Sequence, residues 1–138
     1  MRIAIALLLL SAAACTPPPA ASPAMPAAAA ISALPGSWRV TQVNGQPLPV
    51  TSPAERSVTI ERASLLLAEG GAYTLTIAAH TSSEPAVDHA QRGRWTADAT
   101  TLTTTPDAGE ATRFTYTLTG AALSLRDEHG VVYTLVRS

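Results

Sequence analysis

Tyr73-Thr74-Leu75-Thr76-Ile77 alternates apolar and hydroxyl side chains without a break, and the turn residues Glu69-Gly70-Gly71 stand just ahead of it. A period of two puts Tyr73, Leu75 and Ile77 on one face and the threonines on the other, which is the pattern of a strand with one face buried. The same grammar spreads outward in both directions. Upstream, residues 37–43 place Trp38 and Val40 together, and Asn44-Gly45 closes the run with a hairpin dipeptide. Pro47, Pro49 and Pro53 keep the next stretch out of a central strand. Downstream, Gly93-Arg94-Trp95-Thr96, residues 101–105, residues 114–119, residues 123–125 and residues 131–137 read as further strands. Asp98, Gly120 and residues 127–130 supply turns, while residues 81–90 and 106–110 read as loops.

Residues 52–70 carry two conflicting signals. Ser52, Pro53 and Glu55 suit a helix start and Gly70 a helix stop. Against this, Val58 and Ile60 alternate with Ser57, Thr59 and Glu61 in a segment dense in β-branched residues. The expectation is therefore two short strands, at 57–61 and 64–68. Strands this short, most joined by tight turns, predict an all-β fold: a small up-and-down antiparallel barrel of about eight to nine strands, whose closure removes exposed edges.

Ahead of this domain the chain changes character. Arg2, the apolar run of residues 3–10 and Ser11-Ala12-Ala13-Ala14-Cys15 form a secretory signal. The apolar run is too short to span a bilayer, which takes roughly 20 residues. The stretch resembles the bacterial lipobox, with Ala12 where that motif prefers Leu. The resemblance implies a signal peptide over 1–14 and acylation of Cys15, with palmitate among the acyl groups; ordinary cleavage would instead leave Cys15 a free thiol. Thr16 after the cysteine resembles outer-membrane sorting, which implies a lipid-anchored protein facing the periplasm. Residues 15–35, rich in Pro and Ala, read as a semi-rigid tether, with one helical turn over 27–30 as the alternative. At roughly 3.1 Å per residue in a polyproline-like form, such a tether reaches on the order of 60 Å. The domain then occupies residues 36–138.

Composition excludes several functions. Cys15 is the single cysteine, so there is no intramolecular disulfide and no multi-cysteine zinc site. Every basic residue is an arginine, and without Arg2 eight face ten acidic residues. They are scattered along the chain, so a clustered nucleic-acid surface is not expected. His80, Glu84, Asp88 and His89 bracket the 81–90 loop but match no metal-ligand spacing, and His129 with Asp127 and Glu128 suits a turn. Ser64 and Ser124 lie in expected strands without a nucleophile elbow, and Gly70-Gly71 precedes a strand instead of a helix. No catalytic residue, metal or cofactor is therefore expected.

Gly36-Ser37-Trp38 resembles the Gly-x-Trp of the first lipocalin strand, and Arg137 resembles the arginine that packs across that tryptophan. Ala63-Ser64-Leu65-Leu66-Leu67 and residues 70–75, 93–102 and 123–133 are similar to bacterial lipocalin-like domains of unknown function. Residues 38–49 also resemble the META domain of heat-shock lipoproteins, whose later Gly-Cys-Asn motif is missing here. The lipocalin resemblance implies barrel closure through Gly36, Trp38 and Arg137. A barrel of about eight strands can enclose a small ligand, and Tyr73, Leu75, Ile77, Trp95, Phe114, Tyr116, Leu118 and Tyr133 are the expected lining. Two functions stay open: an envelope lipoprotein that binds a small hydrophobic molecule or lipid, or an interaction module, such as an inhibitor or assembly factor, using residues 81–90 and 106–111 against an envelope protein.

Overall fold

One helix and ten strands make up the computed structural model, which describes residues 27–138. The expected signal peptide, Cys15 and the first part of the expected tether lie outside the described residues. In order the elements are α1 (Ala27–Ala33), β1 (Gly36–Val43), β2 (Gln46–Pro47), β3 (Val50–Thr51), β4 (Val58–Leu67), β5 (Ala72–Thr81), β6 (Val87–Ala97), β7 (Thr101–Pro106), β8 (Thr112–Thr119), β9 (Ala122–Arg126) and β10 (Val132–Arg137). From β4 to β10 each strand pairs antiparallel with the next, and β1 pairs with β10 on one side and β4 on the other. The result is a closed eight-stranded up-and-down barrel with β2 and β3 as additional strands.

Local chemistry explains the hairpins. Asn44 and Gly45 both adopt left-handed φ angles, 51° and 77°, the requirement of the tight turn that pairs Val43 with Gln46. Asp98 and Asp127 each fold a later turn by accepting backbone N–H bonds on a carboxylate oxygen, from Thr100 and Thr101 and from His129 and Val131 respectively.

The structure corrects three sequence expectations. Val58–Leu67 form one ten-residue strand, β4, instead of two short ones at 57–61 and 64–68. Its register slips between Ile60 and Arg62, so Glu61 is a bulge residue and the apolar phase moves from Ile60 to Ala63, Leu65 and Leu67. That phase shift is what imitates two strands in the sequence. Residues 81–90 are half strand: β5 runs to Thr81, β6 starts at Val87, and only five residues turn between them. Residues 27–33, assigned to the tether with one helical turn over 27–30 as the alternative, form α1 and pack against the barrel through buried Ala30 and the following Leu34.

The barrel is filled at one end and hollow at the other. Leu34, Trp38, Leu67, Leu102, Leu123 and Leu135 are essentially fully buried, most of them around the end that α1 covers. Each such aliphatic side chain contributes about 1.5–3 kcal/mol by burial. Trp38 lies opposite Arg137 on β10 and Leu65 on β4, so one residue sits at the seam between first and last strands. Its Nε1 donates to Leu34 O at 2.8 Å, and the Arg137 guanidinium covers its ring at 4.4 Å. Arg137 also donates to Pro35 O and Ala33 O, tying the end of α1 to β10. Gly36 is obligatory here, because a Cβ at this position would run into the Arg137 guanidinium and its φ is +138°.

Candidate functional site

At the end away from α1 the strands part in two places. Above the pairing of Arg39 with Ser64, β1 separates from β4, and β2 and β3 pair with their exposed edges. Leu48 and Val50 from this excursion pack against the core as a lip. Above the pairing of Gly93 with Pro106, β6 leaves β7, and residues 87–92 remain paired with β5 alone along the ladder. Gly93 permits the bend: a Cβ there would lie 2.1 Å from Thr105 O and 2.8 Å from the Tyr73 ring.

Between the separated strands lies a cavity of about 210 Å³, lined by inward residues of β1, β4, β5, β7, β8, β9 and β10. An engineered apolar cavity of about 150 Å³ holds benzene, so the space is sufficient for a small apolar group or part of a longer chain. Val40, Val43, Ile60, Leu75, Ile77 and Phe114 are among its walls. Polar groups are few: Thr104, Thr112, the Tyr73 and Tyr133 hydroxyls and the Asp127 carboxylate.

Of the residues expected to line a cavity, Tyr73, Leu75, Ile77, Phe114 and Tyr133 do so, whereas Trp95, Tyr116 and Leu118 do not. Hydrogen bonding explains two of the three exceptions. Trp95 Nε1 donates to Ala68 O at 2.9 Å and Tyr116 OH to Asp98 O at 2.6 Å, both in turns at the filled end. A buried aromatic with a polar tip goes where that tip finds a partner, so these rings become the floor below the cavity. Leu118 packs against the same floor, opposite the fully buried Leu123. The tyrosines that do line the space find partners near its mouth: Tyr73 OH donates to Gln91 Oε1 at 3.2 Å, and Tyr133 OH approaches Asp127 Oδ2 at 3.5 Å.

Asp127 is the residue the sequence places in a turn and the structure also places at the cavity. Its Oδ1 accepts the N–H groups of His129 and Val131, both at 2.9 Å, which leaves Oδ2 directed at Tyr133. Burial raises the Tyr133 phenol above its ordinary range, and the adjacent Asp127 charge adds to the shift. Burial raises Tyr73 as well; a Thr104 hydrogen bond opposes it and Asp107 reinforces it. Both phenols are therefore neutral hydrogen-bonding groups across the ordinary pH range.

His80 and His89 do not converge. His89 lies opposite inward-facing Ile77, while His80 is on the alternate, outer row of β5. His80 Nδ1 lies 3.0 Å from Glu61 Oε1 but off the axis of a hydrogen bond. Asp88 pairs instead with Arg62 at 3.0 Å across the small side chain of Ala78, a solvent-exposed ion pair. Among the described residues no three His, Cys, Asp or Glu side chains gather as a metal set.

Fold and cavity together define an antiparallel up-and-down barrel holding an apolar space open at one end. No family model, curated protein or solved structure matches the chain.

Proposed function

We propose that this protein is an envelope lipoprotein, anchored through Cys15 in the outer membrane and facing the periplasm, whose lipocalin-like barrel binds a small hydrophobic molecule or lipid. The observation that carries the binding role is the cavity of about 210 Å³ with predominantly apolar walls. A protein of this size closes such space with side chains unless something else occupies it, because unfilled interiors forfeit dispersion contacts. The pairing of Trp38 with Arg137 across the closing strands supports the lipocalin-like reading. Binding in this reading involves no covalent chemistry, so the protein acts as a carrier or sensor and not as an enzyme.

Calorimetric titration with a panel of medium-chain alcohols, fatty acids and lysolipids tests the proposal. Saturable one-to-one binding with a negative heat-capacity change is expected from apolar burial, together with a shift of Trp95 emission from the cavity floor. Absence of binding across the panel removes the carrier reading. A second reading, docking of an envelope protein, is favoured in that event by the β6 edge at residues 87–92, where Val87 is 53% exposed. An added strand would satisfy that edge.

A further inference from the structure

The charge on the lining of the cavity is one-sided. Asp127 is the single ionisable carboxylate or basic group among its lining residues. The arginines of the barrel strands are kept out of it by register. Arg39 alternates with inward Trp38 and Val40, Arg113 with inward Phe114, and Arg126 with inward Leu125. Arg62 and Arg92 lie opposite Ala78 and Thr74 on the outer rows of the β5 ladders, and Arg94 opposite Ala72. Arg137 is at the filled end beneath Trp38, Arg56 is exposed in the segment before β4, and the chain contains no lysine. An acyl carboxylate entering this space would meet no basic side chain on its walls and would approach a like charge at Asp127.

Beside Asp127 stand two aromatic rings. Phe114 and Tyr133 line the cavity with centroids 6.5 Å apart and planes at 80°, so their faces point in different directions around one corner of the mouth. Ring faces attract cations, and aromatic walls beside a carboxylate are a recurring way to hold an ammonium group. The carboxylate is fixed in place because Oδ1 is tied to two backbone N–H groups, while Oδ2 has a single long contact to a phenol.

We propose that the cavity selects amphiphiles with a cationic head, of the alkylammonium class, with the head between Asp127, Phe114 and Tyr133 and the apolar chain in the interior. This rests on the cavity being a ligand site, as proposed above, and adds the chemistry of the head group. The carboxylate supplies the counter-charge, the rings supply cation–π contact, and the absence of a basic wall residue disfavours acids of the same chain length.

The test compares decylamine, decanol and decanoate by calorimetry with the full protein at neutral pH and low ionic strength, below their aggregation concentrations. Decylamine is expected to bind at least tenfold more tightly than decanol, and decanoate most weakly. Asp127→Asn retains an oxygen for the two backbone N–H bonds and removes the charge, so it should reduce amine affinity to that of the alcohol measured in the same variant. Phe114→Leu should weaken decyltrimethylammonium more than decanol. Decanoate binding as tightly as decylamine, or an undiminished amine preference in Asp127→Asn, overturns the head-group assignment while the carrier function stands. Failure of all three ligands to bind refutes the carrier function itself. The comparison in the unmodified protein decides the matter even if a variant does not fold.

Discussion

Barrel closure predicts a measurable coupling between Trp38 and Arg137. Trp38 is 0% exposed, so Trp38→Leu should cost about 2–4 kcal/mol, somewhat less than the ~3–5 kcal/mol of truncating a buried tryptophan to alanine. Arg137 is exposed, which limits what its charge contributes. Its hydrogen bonds to Pro35 O and Ala33 O and its stacking at 4.4 Å together suggest about 1–2 kcal/mol for Arg137→Met. Because those carbonyls belong to the backbone, they are lost whether residue 38 is Trp or Leu. A double-mutant cycle therefore isolates the stacked contact, with an expected coupling of about 0.5–1 kcal/mol for a solvent-accessible cation–π pair. Urea unfolding followed by circular dichroism gives the four stabilities. Additivity to within about 0.3 kcal/mol would show that the guanidinium and indole are neighbours without being energetically linked.

Other perturbations have equally definite outcomes. Gly93→Ala forces a Cβ to within 2.7 Å of Pro106 Cα and closer still to Thr105 O, both backbone atoms, so it should cost at least the upper end of the ~1–3 kcal/mol typical of overpacking; a urea midpoint close to that of the parent would refute the tight approach. Tyr73, Tyr116 and Tyr133 all have raised phenol values, with burial the leading cause in each. The folded state then holds these protons more firmly than the unfolded one, so the stabilisation is complete below about pH 10, the unfolded tyrosine value, and is lost as pH rises through the folded values. Ultraviolet titration of tyrosinate should rise later in the folded protein than in urea, and coincident curves would contradict the burial. If Cys15 is the anchor, Cys15→Ala should abolish palmitate labelling and release the protein from membranes; persistent labelling would place any acyl group elsewhere.

The fold was legible where one face is buried and the period is uninterrupted, as at Tyr73, Leu75 and Ile77. It became illegible where the ladder takes in an extra residue. Glu61 in β4 shifts the alternation by one, which makes one strand look like two. The first half of β6 escaped notice for a different reason: neither face of residues 87–92 is covered, so Asp88, His89, Gln91 and Arg92 carry loop-like polarity on an extended backbone. α1 was legible only as an alternative, one turn over 27–30, because its alanines carry little apolar signal until Ala30 and Leu34 are seen to cap the floor. At the site, alternation identified which residues point inward but could not separate floor from wall. That division depends on which turn carbonyls the Trp95 and Tyr116 tips reach, a tertiary fact. Asp127 was recognised for its turn, and its second oxygen at the mouth had no signature in the linear chain.

The position of α1 has a consequence for how the molecule can be held. The helix and the last strand meet at the same end, where Arg137 bonds to Ala33 and Pro35 and Ser138 N donates to Ser37 O at 3.0 Å. The mouth lies at the opposite pole, beyond the turns at 44–45 and 127–130. A surface, bead or fusion partner attached ahead of residue 27 or after residue 138 therefore grips the barrel by its base and leaves the opening turned toward solution.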